Sequence, residues 1–140
     1  MPMRLLLVDD SPADVTLVKE AVTEFLQQGM LSLDTVTDGN AAFAFLRRQA
    51  PYVQVASPDL VLLDLNLPGK SGYDILTELR QDTELRFVPV VVFTTTSEEQ
   101  VISRCYELGA NAYIVKPLEL EQFLSLVKIT VAFWSACKWV

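Results

Sequence analysis

The chain has 140 residues, a length that suits one domain able to bury its own hydrophobic core. Half of the residues are hydrophobic (51%) and only 21% are charged, which excludes an intrinsically disordered chain. The net charge of −7 argues against nucleic-acid binding and favours a cation or a basic protein surface as partner. Histidine is absent, which excludes His-based catalytic triads and most zinc sites.

Nothing in the sequence indicates export or membrane insertion. The N-terminus carries Arg4 and a short apolar run that ends in acids, unlike a signal peptide. No apolar stretch reaches the roughly 18–20 residues that a membrane-spanning helix needs. Cys105 and Cys137 lack metal-binding spacing and are interpreted as reduced thiols. We therefore expect a cytoplasmic protein.

Strand and helix patterns alternate along the chain. Short apolar runs predict strands at Arg4–Val8, Leu31–Thr37, Asp59–Asp64, Pro89–Thr94 and Ala112–Val115. Apolar residues at helical spacing predict helices from Ser11 to Gly29, Gly39 to about Gln49, Tyr73 to Arg80, Ser97 (as cap) to Gly109, and Glu119 to about Trp139. The proline-bounded segment Ala50–Pro58 is predicted to be a loop. Because parallel strands need helical crossovers, this order predicts one α/β domain with helices on both faces of a parallel sheet.

Polar or charged side chains stand at the carboxyl ends of four of these strands. Asp9-Asp10, Asp64 and Lys116 each follow an apolar run, and Thr94 ends another. In doubly wound sheets these ends meet at one edge, where ligands bind. Singly, each has an ordinary interpretation: a helix cap, a strand-end acid, a β-forming threonine and a solvated lysine. Their joint occurrence at matched strand ends favours a site.

The residue types at this edge suit a cation and a phosphoryl group. Crowded carboxylates repel one another, and a hard divalent ion relieves the repulsion. We expect Mg²⁺ to be held by three carboxylates and one main-chain carbonyl, those of Asp9, Asp10, Asp64 and Asn66. A carboxylate can also attack phosphorus and form an acyl phosphate. Lys116 and the Thr94 hydroxyl would then neutralise and hydrogen-bond the transferred group.

Together these residues resemble the receiver domain of two-component response regulators, a phosphoacceptor module, over essentially the whole chain. The matching pieces are Asp9-Asp10, Asp64, Asn66-Leu67-Pro68-Gly69, Gly72, Thr94 after the strand Val90–Phe93, and Lys116-Pro117. The resemblance implies a flavodoxin-like (βα)5 doubly wound parallel sheet with strand order 2-1-3-4-5. It also implies a signalling protein rather than an enzyme, with at most self-dephosphorylation.

The resemblance implies a role for each acidic residue. Asp64 would take a phosphoryl group from a histidine of a sensor kinase. Asp10 would bind Mg²⁺ directly, Asp9 mostly through water, and Asn66 through its main-chain carbonyl. The intact acidic set therefore implies a working phosphoacceptor.

The resemblance further implies a switch. Thr94 would be the switch hydroxyl, and Lys116 the phosphate-binding lysine, with a cis bond to Pro117. Tyr113 matches the aromatic residue that swings inward when the switch hydroxyl engages phosphate. Such a change is a population shift towards an active conformation that already exists.

A finer resemblance is to the stand-alone receivers that serve bacterial phytochromes, of the small cyanobacterial type. The supporting features are Asp64-Leu65-Asn66-Leu67-Pro68, the strand Val90–Phe93 with Thr94-Thr95, the loop Ala50–Pro58, and Phe133-Trp134. The chain departs from that subgroup in the loop Gly69-Lys70-Ser71-Gly72 and in the tail Ser135–Val140. These two departures bear on the identity of the phytochrome partner and not on the phosphoacceptor chemistry.

The last predicted helix carries more apolar residues than one buried face needs. We expect residues 1–140 to form a single receiver domain with an apolar helix and extension over about 119–140, followed by no output domain. Output would then pass through contacts with a downstream protein. Surplus apolar surface predicts a homodimer through the fourth helix, fifth strand and last helix. The alternative is a terminal helix that folds back on its own domain.

Three other functions compete with a working receiver. Haloacid-dehalogenase-like phosphatases also place a nucleophilic Asp, a Ser/Thr and a Lys at strand ends, but carry a second Asp where this chain has Asn66. A flavodoxin would have a phosphate-binding loop where this chain has Asp9-Asp10-Ser11-Pro12. A degenerate receiver acting only as a scaffold would not need the full acidic set.

Overall fold

A computed structural model describes residues 2–137 of the chain. Its sheet contains the strands β1 (Met3–Val8), β2 (Leu31–Val36), β3 (Leu60–Leu63), β4 (Val90–Thr94) and β5 (Ala112–Val115). Its helices are α1 (Pro12–Ala21), α2 (Thr23–Gln27), α3 (Gly39–Leu46), α4 (Gly72–Gln81), α5 (Glu99–Glu107) and α6 (Leu120–Ala136). The strands are parallel, in the order β2-β1-β3-β4-β5. The predicted flavodoxin-like α/β fold and strand order are confirmed.

The sheet separates two hydrophobic cores. Every residue of β3 and β4 is buried, as expected for parallel strands covered on both faces. Successive strand side chains point to opposite faces. Leu6 therefore joins the core formed with α3, α4 and α5, whereas Leu5 joins the core formed with α1 and α6. With both faces covered, the strand ends are the part of the sheet that can carry polar chemistry.

The first predicted helix begins as expected but breaks once. Ser11 is the N-cap of α1, and its side chain accepts a hydrogen bond from the N–H of Asp14 at 3.3 Å. The helix is interrupted at Val22 (φ −101°, ψ 7°), so α1 and α2 replace the single predicted helix. Val22 is fully buried and β-branched, and its packing prevails over the helical pattern. Gly29, with φ 71°, ends the region as predicted.

The predicted cap of α5 is wrong. The N-cap is Glu98 rather than Ser97, with extended backbone (φ −66°, ψ 127°) and no side-chain capping bond. The Thr96 hydroxyl oxygen accepts the N–H of Glu98 at 3.4 Å, so the turn before the helix uses the threonine. The helix therefore begins later than the serine signal predicts.

Two expectations at the end of the chain also change. The helix α6 ends at Ala136, and the predicted continuation to Trp139 lies outside the described residues. Glu119 caps its start by accepting hydrogen bonds from two backbone N–H groups. The expected cis bond between Lys116 and Pro117 is wrong: that bond is trans, the isomer that most X–Pro bonds adopt.

Candidate functional site

The carboxyl edge of the sheet gathers polar residues from four strands. Val8 is paired with Leu63, so the next residues in the chain, Asp9 and Asp64, emerge at one level. Through β4 this level corresponds to Ile114, and Lys116 follows two residues later at the same edge. Asp9, Asp64, Thr94 and Lys116 are buried, whereas Asp10 is exposed. Buried charges need partners, and these residues supply one another.

Lys116 is the centre of the arrangement. Its Nζ donates hydrogen bonds to Asp9 Oδ2 at 2.8 Å, Asp14 Oδ2 at 2.7 Å and Asp64 Oδ2 at 3.0 Å. Only 4% of the lysine side chain is exposed. Because an ammonium group has three N–H donors, its donor capacity is fully used.

Asp64 is held by a hydrogen bond on each oxygen. The Thr94 hydroxyl donates to Oδ1 at 2.8 Å, Lys116 binds Oδ2, and the Asn66 N–H donates to Oδ1 at 3.3 Å. Thr94 is fully buried, while 8% of Asp64 is exposed. The carboxylate is thus fixed in orientation and still reachable at the sheet edge.

Glycine is required at the first residue of α4 because the backbone there packs against the loop that follows β3. A Cβ at Gly72 would lie 2.7 Å from Leu65 Cα and 2.9 Å from the Asp64 carbonyl oxygen. The N–H of Gly72 donates to the Leu65 carbonyl at 3.1 Å. This close approach packs the start of α4 against the backbone of Asp64 and Leu65.

Burial and charge oppose each other in this cluster. Burial raises the pKa of Asp9, and its hydrogen bonds with Lys116 and the Ser11 N–H reverse only part of that rise. Burial lowers the pKa of Lys116, but its bonds to Asp14, Asp9 and Asp64 outweigh burial and leave that pKa above 10.5. The ammonium is therefore firmly charged, and the acids around it outnumber it.

The acidic residues suit a divalent cation. Asp9, Asp10 and Asp64 each offer a carboxylate oxygen, and these oxygens lie within 4.8 Å of one another. Hard cations such as Mg²⁺ prefer such oxygen ligands and tolerate a site open to water, as the exposure of Asp10 allows. The donor set therefore fits Mg²⁺, and the Asn66 carbonyl stays a prediction as a further ligand.

Asp14 belongs to this cluster, although no sequence pattern assigns it to the site. An acid in the first turn of a helix is explained by the helix dipole alone. In the folded chain, α1 lies beside the end of β5, which brings Asp14 to Lys116. No local signal could find this contact, because it joins residues 102 positions apart.

Tyr113 lies beside the site without touching its acids. Its hydroxyl donates to the Thr96 carbonyl at 2.8 Å, and its ring is half-buried against the core that contains Cys105. Burial raises the pKa of Tyr113 to about 12. The ring is therefore tied to the loop that follows Thr94, the predicted switch residue.

The fold and this edge define a flavodoxin-like α/β domain with an acidic cation site. A family model described as the response regulator receiver domain matches residues 5–128, and the chain belongs to that family. The response regulator Rcp1 of Synechocystis sp. is 40% identical over 134 residues, covering 95% of this chain and 89% of Rcp1.

Solved structures agree with this assignment. The phosphorylated cyanobacterial phytochrome response regulator RcpA superposes with a TM-score of 0.91 at 38% identity, covering 97% of this chain and 96% of RcpA. The Mn²⁺-bound form of Rcp1 gives a TM-score of 0.89 at 38% identity, covering 99% of both chains.

Family membership argues against the phosphatase among the competing functions. Receiver domains are signalling modules rather than classical enzymes, and the alternative of a haloacid-dehalogenase-like phosphatase is not supported.

Within residues 2–137, no helix is long and apolar enough to cross a membrane.

Proposed function

We propose that the protein is a phosphoacceptor response regulator whose Asp64 takes a phosphoryl group from the histidine of a sensor kinase. The observation that carries this proposal is the position of Asp64 between Lys116 and the Thr94 hydroxyl, with Asp9 and Asp10 close by. A carboxylate in that position has a neutralising cation on one side and a hydrogen-bond donor on the other.

In the transfer, a carboxylate oxygen of Asp64 attacks phosphorus. The new O–P bond forms as the P–N bond to the kinase histidine breaks, and the imidazole nitrogen takes up a proton. Lys116 neutralises charge on the phosphoryl oxygens, and Thr94 donates a hydrogen bond. Bound Mg²⁺, held by Asp9, Asp10, Asp64 and the Asn66 carbonyl, would supply further charge neutralisation.

Phosphorylation would also operate a switch. Thr94 now donates to Asp64, and a phosphoryl oxygen offers its hydroxyl a new acceptor. A shift of Thr94 would move the loop whose Thr96 carbonyl holds Tyr113. The phosphoryl group would thus favour the conformation that accommodates both residues, which is a population shift.

Beryllofluoride, which mimics an aspartyl phosphate, tests this proposal. We expect the wild type to bind it in the presence of Mg²⁺, detected by the ¹⁹F NMR signal of bound fluoride. Asp64→Asn should abolish binding, whereas the control Asp59→Asn, a carboxylate paired with Arg4 at the opposite end of β3, should retain it. No binding by the wild type, or equal binding by Asp64→Asn, would contradict the proposal and favour a scaffold-only receiver.

The kinase partner in this proposal is a phytochrome. The support is the similarity to RcpA, which is described as a phytochrome response regulator, across nearly the whole length of both chains. The free thiols of Cys105 and Cys137 agree with the predicted cytoplasmic location. We expect phosphotransfer from a phytochrome kinase to be faster than from a histidine kinase with an unrelated sensor domain; equal rates would remove the phytochrome from the proposal.

A homodimer through α5, β5 and α6 is the second part of the proposal. Ile129 and Phe133 on α6 are 62% and 60% exposed, and they line an apolar cavity of about 430 Å³ beside β5. Contiguous apolar surface of this kind is typical of protein interfaces. A downstream protein target would bind the same face and replace the second subunit of the homodimer.

Sedimentation velocity tests the dimer. We expect Phe133→Ser to weaken self-association, and Phe87→Ser to leave it unchanged. Phe87 is a suitable control because it is 80% exposed and lies in the loop before β4, outside α5, β5 and α6. A wild type that stays monomeric with and without beryllofluoride would contradict the dimer.

A further inference from the structure

We propose that Asp14 is a positioning residue that holds Lys116 in the unphosphorylated protein and releases it to the phosphoryl group. Asp14 would act through Lys116 and would not touch the transferred group itself. The inference rests on the proposed phosphorylation of Asp64. It adds a fourth carboxylate, from the first turn of α1, to the three at the sheet edge.

The donor count of Lys116 makes an exchange necessary. All three N–H groups of its Nζ are used, by Asp9, Asp14 and Asp64. A phosphoryl group on Asp64 adds acceptor oxygens at the site but no donors. Each hydrogen bond from Lys116 to a phosphoryl oxygen therefore requires that one of the present three be given up.

The three present contacts differ in how easily they can break. The Asp9 side chain is 1% exposed, so without Lys116 its charge would be left buried. The Asp14 side chain is 25% exposed and lines a cavity of about 240 Å³ together with Lys116. Water can therefore take over the hydrogen bonds of Asp14 when the lysine leaves. Of the two acids that are not phosphorylated, Asp14 is therefore the one whose contact with Lys116 can be exchanged at the lower cost.

The position of Asp14 does not depend on its side chain. Its backbone N–H is bonded to the Ser11 side chain, which caps α1 whatever residue follows. Its carboxylate also lies outside the group of three acids that fits a cation. Replacing the carboxylate should therefore leave both the helix and the cation site in place.

The competition has a measurable sign. With Asp14 removed, Lys116 has a donor free for the phosphoryl oxygens before binding begins. Asp14→Ala should then bind beryllofluoride more tightly at saturating Mg²⁺, by about tenfold, or ~1.4 kcal/mol. A residue with a structural role alone would weaken binding when replaced, or leave it unchanged.

Titration calorimetry with beryllofluoride at saturating Mg²⁺ tests the inference. We expect Asp14→Ala to bind more tightly than the wild type, and Asp14→Asn, whose amide oxygen is a weaker acceptor, to have an intermediate affinity. Asp14→Glu, which keeps the carboxylate, should bind with nearly wild-type affinity. Glu20→Gln, which removes an exposed acid from the same helix, should also match the wild type.

Salt separates hydrogen-bond exchange from a general loss of negative charge. At 1 M salt the screening length is about 3 Å, so a long-range charge effect disappears, whereas the gain from a freed donor persists. Unchanged or weaker binding by both neutral variants, or a gain that vanishes at 1 M salt, would overturn the inference. If the wild type itself does not bind beryllofluoride, the proposed phosphorylation fails instead.

Discussion

Replacing Lys116 with methionine should strongly destabilise the protein in the absence of metal. The lysine side chain is 4% exposed and neutralises Asp9 and Asp64, whose side chains are 1% and 10% exposed. Methionine fills a similar volume but leaves both acids without a cation. Removing one partner of a buried ion pair costs about 3–5 kcal/mol. This is a large part of the roughly 5–15 kcal/mol that stabilises an ordinary domain.

The expected loss of stability in Lys116→Met comes from the two buried acids, Asp9 and Asp64, rather than from all three contacts of the lysine. Asp14 is partly exposed and regains water when the ammonium is lost, so it adds little to the loss. The pKa of Lys116 is raised above 10.5, so its stabilisation is complete at pH 7.5 and is lost only in strong alkali. Burial raises the pKa of Asp9, so acid should relieve the variant as Asp9 takes up a proton.

Urea unfolding followed by circular dichroism measures this effect. We expect a loss of about 3–5 kcal/mol for Lys116→Met at pH 7.5 in EDTA, and a smaller loss at pH 5 or with Mg²⁺. The control is Lys70→Met, because the Lys70–Glu78 pair is more than 30% exposed on both sides and should contribute at most about 1 kcal/mol. A loss of stability for Lys116→Met that is no larger than the loss for Lys70→Met would refute this expectation.

Two further substitutions probe the surroundings of the site. Gly72→Ala should lower stability by about 2 kcal/mol or more in the same urea assay, because its Cβ would meet the Leu65 backbone at 2.7 Å; a neutral effect would show that the loop can shift. Tyr113 keeps its proton to a pKa of about 12 instead of 10, so its stabilisation is full below pH 10 and is lost as the pH rises towards 12. From pH 10 to pH 12 the wild type should lose more stability than Tyr113→Phe. Equal losses of stability in the two proteins would contradict the raised pKa of Tyr113.

The sheet could be predicted from the sequence because its signals are local. Each strand is a short apolar run, and the runs that end at Asp9, Asp64, Thr94 and Lys116 identify both the strand and its carboxyl edge. Once the strands are parallel, topology alone brings these ends to one edge. The juxtaposition of the site residues was therefore predictable without any contact being known.

The break at Val22 and the contact of Asp14 were missed because they depend on packing between segments, whereas the cap of α5 depends on a local turn. No glycine or proline marks the break between α1 and α2 at Val22, which accompanies the full burial of this residue. The true cap of α5 depends on the turn around Thr96. Asp14 has a sufficient local explanation, so its contact with Lys116 could be found only from the folded chain.

The Lys116–Asp9 hydrogen bond joins residues 107 positions apart, from the first strand and the segment after the last. β3 and β4 lie between those strands in the sheet, so the bond can form only when these four strands have been assembled. Contacts of such long range are made late in folding. A partly folded or truncated chain would therefore have Asp64 without its lysine and should be a poor phosphoacceptor. If Asp64 is the phosphoacceptor as proposed, a kinase would pass its signal only to a molecule in which these strands have come together.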